Sequence, residues 1–183
     1  MHNIEPFYQW KELYEGAEDK NNPFYGEQYN EFQYTNKIYN YFIHPQWDKM
    51  ESETLYLKIL FVDYDERFCI IELIGEWNDC INNDIMFLKR DIIDHFIKKG
   101  LNKYIILCDH VLNFHGSDDC YYEEWKDDVE DGAIYFINLL PHVYDEMKSM
   151  HIQNYVVFQK KNDQINWRKM NPMSLLEYLE NKN

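Results

Sequence analysis

The chain has 183 residues, of which 45% are hydrophobic, and it contains five Trp, sixteen Tyr and eleven Phe. This is enough apolar material to bury about 70% of the unfolded surface, as domains of similar size do, so an intrinsically disordered chain is excluded. The 18 Lys and Arg residues face 33 Asp and Glu residues, and the resulting net charge of -15 repels phosphate backbones and argues against nucleic-acid binding.

The cellular setting follows from what the sequence lacks. No apolar run approaches the roughly 18 residues that a transmembrane helix needs, and the N-terminus lacks the basic and apolar regions of a secretory signal. We therefore expect a cytoplasmic protein without a membrane partner, and no cofactor, because no cofactor motif is present. The cysteines are widely spaced without a CxxC pair, which favours reduced thiols: Cys69, Cys80, Cys108 and Cys120.

The first fifty residues differ in character from the rest of the chain. Aromatic side chains recur there without a period, between turn-prone Asn, Pro and Gly residues. We interpret residues 1–50 as an aromatic-rich extension that packs on a core domain formed by residues 51–183, because such side chains bury large areas. A platform for an aromatic ligand or a peptide is the alternative. Within the extension, Lys37–Ile43 is predicted as a strand that ends before Pro45.

A hairpin and a helix are predicted next. The β-rich runs Leu55–Val62 and Phe68–Ile74 are separated by the polar stretch Asp63–Arg67, as in an antiparallel hairpin. Apolar residues at helical spacing in Ile81–Ile97 then predict an amphipathic helix that ends at Gly100. Three residues ahead of this helix have side chains that suit its N-cap: Asn78, Asp79 and Asn82.

The next part of the chain alternates between apolar and polar stretches. Lys103–Cys108 is a nearly continuous apolar run, as expected of a central strand buried on both faces. The polar loop Asp109–Asp119 then leads into a helical region, Tyr121–His151. Gly132 and Pro141 are expected to divide this region into two segments or to kink it.

Three short elements complete the predicted order. Tyr155–Phe158 is predicted as a short strand, Ile165–Trp167 as an edge strand and Pro172–Leu179 as a helix with Pro near its first turn. The succession of hairpin, helix, strand, helix, strand and helix argues for an α/β domain. We expect a mixed β-sheet with helices packed mainly against it.

Several stretches carry a resemblance to a known fold. Ile74–Asp79 has a Gly-Glu pair after the hairpin, and Leu107–Asp109 ends a strand in an Asp. An apolar turn, Val111–Phe114, and the stretch His115–Asp119 follow. In this order they resemble the STAS domain (sulfate transporter and anti-sigma factor antagonist), over about residues 54–180. The resemblance implies a STAS-like fold and a regulatory role through a protein partner.

The resemblance also points to a switch loop. In antagonist members of the family, this loop carries a hydroxyl that a partner kinase phosphorylates. Ser117 matches the first hydroxyl of the family pattern Asp-Ser-Ser-Gly, whereas Asp118 stands at the usual phosphoacceptor position. Gly116 and Asp119 stand where the family has Asp and Gly. The resemblance implies an interaction or switch loop of six residues: Asn113, His115, Gly116, Ser117, Asp118 and Asp119.

A second resemblance rests on two longer strings, residues 39–48 and 113–125. They look like stretches of a family of small acidic bacterial proteins. This likeness spans nearly the whole chain and implies a bacterial origin but no activity.

The switch loop also holds the densest group of polar side chains. If His115 faced one point with Asp118 or Asp119, the imidazole and carboxylate groups would suit a divalent metal. Their spacing matches no recognised metal motif, so a surface loop with a helix cap at Ser117 or Asp118 is preferred. A nucleophilic role for Ser117 lacks a Gly-x-Ser-x-Gly elbow.

An acidic run follows the loop. Eight carboxylates fall within the fourteen residues from Asp118 to Asp131, and on a helix they place like charges at i, i+4. Solubility or favourable charge at a helix start would explain the run. A docking face for a basic partner is the functional alternative, because a negative patch steers association. It would combine carboxylates with aromatic anchors: Tyr121, Tyr122, Glu123, Glu124, Trp125, Asp127 and Asp128.

These observations favour a non-catalytic, cytoplasmic protein-interaction or regulatory module. Its expected partner is a protein, basic if the acidic run forms the contact, and an exposed strand edge would also allow a homodimer. Two alternatives come from other classes of protein. One is an acidic inhibitor or immunity-type protein that masks a basic active site. The other is a small metal-assisted hydrolase that uses His115, Asp118 and Asp119.

Overall fold

A mixed sheet of six strands runs through the molecule, which the computed structural model describes at residues 4–30, 32–159, 161 and 163–182. A separate pair of two-residue strands precedes it. The strands have these bounds: β1 Lys37–Ile38, β2 Tyr41–Phe42, β3 Asp48–Lys49, β4 Leu55–Asp63, β5 Phe68–Asn78, β6 Lys103–His115, β7 Ala133–Ile137 and β8 Val157–Phe158.

The strand order in the large sheet follows the order in the chain, β3-β4-β5-β6-β7-β8. Neighbours are antiparallel from β3 to β5 and parallel from β5 to β8. The predicted hairpin is confirmed as β4 and β5, in which Ile59 pairs with Ile71. The predicted central strand is confirmed as β6, whose Ile105 and Ile106 have no exposed surface.

The helices have these bounds: α1 Asp84–Phe87, a π-helix Leu88–Ile93, α2 Asp94–Ile97, α3 Cys120–Asp128, α4 Pro141–Ser149 and α5 Pro172–Lys182, with 3₁₀ turns at Ile152–Asn154 and Trp167–Lys169. The first three are contiguous in the chain and correspond to the predicted amphipathic helix. This helix ends before Gly100, which has a φ of +93°, as expected. No helix in the described ranges has the length and apolarity needed to cross a membrane.

Helices cover both faces of the sheet. On one face, Phe96 of α2, Trp125 of α3 and Met147 of α4 belong to one buried cluster with β-sheet residues. On the other face, Leu175 of α5 shares a second cluster with Trp10 of the N-terminal segment. The expected mixed sheet with helices packed against it is therefore confirmed.

The strand predicted at residues 37–43 is wrong, because the chain reverses there. Tyr39 has a left-handed φ of 52°, and Ile38 pairs with Tyr41 across a two-residue turn. The result is the small hairpin of β1 and β2 in place of one strand.

The helical region predicted from residue 121 to 151 is interrupted by β7, which sequence reasoning missed. Ala133–Ile137 is apolar and β-rich, and it pairs in parallel with β6 from Lys103 to Leu107. Pro141 does not kink a helix, since it occupies the first turn of α4, where its missing N–H is tolerated.

Two further predictions are corrected near the ends of the parallel strands. The loop predicted from residue 109 begins only after His115, because β5 also extends to Asn78 and pairs with β6 along that length. The edge strand predicted at residues 165–167 is absent from the described chain, where Ile165 pairs with the side chain of Asn138 and Trp167 begins a 3₁₀ turn.

Position 132 requires glycine because two backbone segments approach closely there. The N–H of Ala133 donates to the carbonyl oxygen of Asn102 at 3.1 Å, and a Cβ on Gly132 would lie 1.8 Å from that oxygen. The start of β7 can therefore reach β6 only with glycine at this position.

We predict that Gly132→Ala destabilises the protein by about 3 kcal/mol or more, because the backbone must move to remove the overlap. Gly100→Ala is the matched control. A Cβ there meets open space, so only the left-handed φ opposes it, at a cost of about 1–2 kcal/mol. Urea denaturation of both variants measures the difference, and equal losses would contradict the proposed overlap.

Candidate functional site

The carboxyl edge of the sheet, where β5 and β6 end, is shaped by two bulges in β6. Glu72 pairs with Leu107 but Ile74 with His110, so β6 has one extra residue in this interval. A second bulge makes Leu112 the extra residue, and this side chain is 42% exposed. Bulges redirect side chains in this way.

A turn at residues 79–83 lies against the end of β6. The backbone N–H groups of Asp79 and Cys80 both donate to the carbonyl oxygen of His115, at 2.9 and 3.2 Å. The Cys80 thiol donates to the carbonyl oxygen of Gly116 at 2.7 Å. The turn is thereby fixed, and it carries Ile81 with 83% of its surface exposed.

A buried carboxylate, that of Asp79, holds this turn through hydrogen bonds. Asp79 is 4% exposed and accepts hydrogen bonds from the Trp77 indole at 2.8 Å, the Ile85 N–H at 2.9 Å and the Tyr122 hydroxyl at 2.8 Å. Burial raises the pKa of Asp79 to about 7, although these donors oppose the shift. The N-cap of α1 is Asn83, so none of the three predicted residues occupies it, although the Asp79 carboxylate accepts the Ile85 N–H in the first turn.

The residues of the predicted switch loop are divided between a strand and a loop. Asn113 and His115 belong to β6, which corrects their placement in a loop. The Asn113 amide donates to Glu76 at 3.3 Å, and Glu76 also accepts from the Tyr39 hydroxyl at 2.8 Å. Gly116–Asp119 form the connection to α3, and Ser117 is exposed there.

The metal site suggested for His115, Asp118 and Asp119 is not formed by the described side chains. Asp118 accepts from the Cys120 N–H at 3.3 Å, and Asp119 accepts from the Tyr155 hydroxyl at 2.7 Å. The two carboxylates are therefore bonded to different partners and do not share a ligand site. Within the described ranges, the three carboxylates whose oxygens converge belong to other residues: Asp94, Glu124 and Asp128.

The predicted docking face on α3 needs correction at its aromatic anchors. Tyr122 and Trp125 have no exposed surface, because Tyr122 stacks on Trp77 and Trp125 packs edge-on against Tyr104. Tyr121 is half-buried, with the Arg90 guanidinium 5.3 Å from its ring centre. The exposed carboxylates that remain in this stretch include Asp118, Glu123 and Asp127.

Two other acidic residues of α3, Glu124 and Asp128, form ion pairs within the protein. The Lys89 side chain has no exposed surface, and its ammonium group lies 2.8 Å from Asp128 and 3.6 Å from Glu124, with Asp94 also in contact. Arg90 forms a two-pronged contact with Glu124. The Lys89 ammonium therefore occupies the place that a cation would take among these carboxylates, and it offsets the repulsion between Glu124 and Asp128.

We predict that Lys89→Met destabilises the protein by about 1–2 kcal/mol, because three converging carboxylates lose the ammonium group that they share but remain partly exposed to solvent. Lys126→Met is the control, since Lys126 is exposed on α3 between Glu124 and Asp128, and its replacement should change stability by less than about 0.5 kcal/mol. Thermal and urea unfolding measure both. Similar small changes in the two variants would contradict the role assigned to Lys89.

A second charged group, missed by sequence reasoning, joins segments that are far apart in the chain. Its centre is Glu72 of β5, whose side chain is 1% exposed. Arg168 donates to Glu72 at 3.0 Å and to Asp109 of β6 at 2.8 Å. The Phe7 N–H donates to the other oxygen of Glu72 at 2.9 Å. The position of Glu72 within the apolar run Phe68–Ile74 was the available signal, because a buried charge requires a partner.

Further hydrogen bonds complete this Glu72 network, which we define as Glu72, Asp109, His110, Asn138, Trp167 and Arg168 together with the Phe7 N–H. Asp109 accepts from the Trp167 indole at 2.9 Å and from the Asn138 amide at 3.1 Å. The His110 imidazole lies 3.8 Å from Glu72 and 3.3 Å from Arg168. Burial raises the pKa of Glu72 to about 7, against the opposing effects of the Phe7 N–H and Arg168.

We predict that the free energy of unfolding decreases as the pH rises from about 5 to 7. Glu72 and Asp79 have pKa values of about 7 in the fold, against 4.5 and 3.8 ordinarily, so the folded state binds more protons in this interval. Glu72→Gln should make this dependence shallower, whereas Glu66→Gln, at an exposed position, should leave it unchanged. Urea denaturation across this range measures the slopes; identical slopes for all three proteins would contradict the prediction.

No protein-family model matches the chain, and no curated protein matches it in sequence. Solved structures that are similar to it include two of the protein SpoIIAA. The unphosphorylated anti-sigma factor antagonist SpoIIAA is 11% identical, with a TM-score of 0.48 over 68% of this chain and 96% of its own. The phosphorylated form of the Bacillus cell fate determinant SpoIIAA is also 11% identical, with a TM-score of 0.43 over 67% and 98%. These likenesses assign neither a family to the chain nor a role to any residue.

Proposed function

We propose that the protein is a non-catalytic interaction and regulatory module whose partner contacts the carboxyl edge of the sheet. The observation that carries this proposal is Ile81, which is 83% exposed on a turn fixed by hydrogen bonds to His115 and Gly116. Such a side chain gains nothing from the fold itself. Leu112 of β6 is 42% exposed at the same edge. Tyr39, in the turn between β1 and β2, is 63% exposed and its hydroxyl donates to Glu76 of β5, so both residues would enlarge the contact.

The charges beside this edge favour a basic partner. Glu124 and Asp128 are paired within the protein, but Asp118, Glu123 and Asp127 face solvent in a chain of net charge -15. A negative surface beside apolar anchors speeds encounter with a positive one and makes the association rate depend on salt. An inhibitor that masks a basic active site is the second candidate, favoured by the same exposed carboxylates.

Regulation at this edge is better served by a fixed charge at Asp118 than by phosphorylation of Ser117. The Ser117 hydroxyl accepts the N–H of Asp118 at 2.6 Å and lies 3.5 Å from the Asp118 carboxylate. A phosphate on Ser117 would therefore meet like charge. We propose that Asp118 supplies the permanent negative charge of the contact.

The partner is proposed to be a different protein, because the sheet edges offer little for pairing two copies. The outer strands β3 and β8 have two residues each. Edges this short provide few backbone hydrogen bonds for strand addition.

A photo-crosslinking experiment tests the proposed contact. With p-benzoylphenylalanine at position 81, we expect an adduct with one protein in a lysate of the source organism, because this position would be buried in the complex. The same residue at position 13 is the control, since Leu13 is 59% exposed in the N-terminal segment.

The charge requirement is tested on the same adduct. Neutralising the edge carboxylates together should abolish or strongly reduce crosslinking from position 81: Asp118→Asn, Glu123→Gln and Asp127→Asn. Three neutral changes at exposed sites elsewhere should leave it intact: Glu12→Gln, Glu18→Gln and Asp65→Asn. An adduct formed equally from positions 13 and 81, or none from position 81, would refute the proposed surface.

A further inference from the structure

The half-buried carboxylate of Glu76 lies at the carboxyl edge and has hydrogen-bond donors but no cationic partner. The second bulge of β6 sets Leu112 and Asn113 opposite this residue of β5. The Tyr39 hydroxyl donates to Oε2 of Glu76 at 2.8 Å, and the Asn113 amide donates to Oε1 at 3.3 Å. Among the residues that the structure describes, no Lys, Arg or His forms an ion pair with Glu76.

Both oxygens of Glu76 can accept a further hydrogen bond. A carboxylate oxygen offers two lone pairs, and each oxygen of Glu76 has one neutral donor, from Tyr39 or from Asn113. These two donors also fix the orientation of the carboxylate, so that less entropy is lost when a ligand binds. Two acceptor oxygens held side by side match the two parallel N–H donors of a guanidinium group better than the point charge of an ammonium group.

The Tyr39 ring adds a second element that favours a guanidinium. Its hydroxyl is bonded to the carboxylate while the ring itself is exposed, so a ring face is available beside Glu76. Guanidinium groups stack on aromatic rings, and ammonium groups do so less well because they are more strongly hydrated. The carboxylate and the ring together therefore present the two surfaces that an arginine side chain uses.

Exposed apolar side chains flank this carboxylate. Leu112 is the extra residue of the bulge opposite Glu76. The turn that carries Ile81 is joined to Glu76 through Thr54: the Asn82 amide donates to the Thr54 hydroxyl at 3.1 Å, and this hydroxyl donates to the Glu76 carbonyl oxygen at 2.9 Å. Apolar contacts around a charged pair exclude water and strengthen it, as at the centre of many interfaces.

We propose that the partner inserts an arginine side chain at Glu76. The guanidinium donates to both carboxylate oxygens and stacks on the Tyr39 ring, and apolar residues next to the arginine contact Leu112 and Ile81. This inference rests on the proposed partner surface and specifies the chemistry of the residue that binds at its centre.

Three tripeptides, acetylated at the N-terminus and amidated at the C-terminus, test the proposal: leucine-arginine-leucine, leucine-citrulline-leucine and leucine-lysine-leucine. Citrulline has the shape of arginine without its charge. Each peptide is titrated into ¹⁵N-labelled full-length protein while the side-chain amide signals of Asn113 are followed. We expect a saturable shift with the arginine peptide, about threefold weaker binding of the lysine peptide and about fivefold or more weaker binding of the citrulline peptide.

Variants of the same protein assign the effect to the site. Glu76→Gln should weaken binding of the arginine peptide about fivefold, whereas Glu123→Gln, which removes the same charge from an exposed position on α3, should change it less than about 1.5-fold. Tyr39→Leu should abolish the preference for arginine over lysine. Equal binding of the arginine and citrulline peptides, equal weakening by Glu76→Gln and Glu123→Gln, or no Asn113 shift at millimolar peptide would overturn the proposal.

Failure of this inference and failure of the proposed partner surface give different results, because the peptide titration needs no partner. An adduct from position 81 together with unselective peptide binding would retain the partner surface and refute the arginine at Glu76. Selective peptide binding without an adduct from position 81 would refute the partner surface and support the guanidinium site by itself.

Discussion

The buried carboxylate of Glu72 constrains more of this structure than any other single group. Taking a carboxylate out of water costs several kcal/mol unless charged and hydrogen-bonding partners replace the water. Its partners come from the N-terminal segment at Phe7 and from Arg168 near the C-terminus, 65 and 96 residues away in sequence. The network is therefore complete only when both terminal segments lie on the sheet, and it fixes where they lie more than it adds stability.

Buried charged groups are compensated in different ways on the two faces of the sheet. On the face covered by the terminal segments, Glu72 has a guanidinium partner. On the face covered by α2, α3 and α4, Asp79 is surrounded by neutral donors, and Lys89 is surrounded by carboxylates. Each arrangement immobilises a connection between elements. The turn at residues 79–83 is consequently held firmly while its Ile81 side chain faces solvent, which is the combination expected of a surface that a partner recognises.

Local patterns in the sequence predict the elements that are stabilised locally. The hairpin of β4 and β5, the central strand β6 and the helix α5 follow from hydrophobic runs and turn residues. Strand β7 was missed because its five apolar residues lie between two acidic or polar helical segments, and only pairing with β6 makes them a strand. The extension of β6 past Cys108 likewise depends on the matching length of β5.

The candidate site was predictable only in part. The sequence predicts a polar loop at residues 109–119 and an acidic stretch after a strand, because polar residues after an apolar run are a local signal. The structure keeps this order but begins the loop only after His115. Burial of Tyr122 and Trp125 could not be read from residue type, since aromatic side chains suit both cores and interfaces. The partners of Glu72 and Lys89 are separated from them by up to 96 residues, so no spacing rule connects them.

The central claim is that the Glu72 network holds both terminal segments on the sheet as one unit. Native-state hydrogen exchange of Arg168→Met tests it most directly, with the neighbouring, exposed Lys169→Met as the control. The account predicts faster exchange in Arg168→Met at backbone amides of residues 7–14 and 165–170 together, with residues 79–83 unchanged. Faster exchange confined to residues 165–170, or equal effects in the two variants, would contradict it.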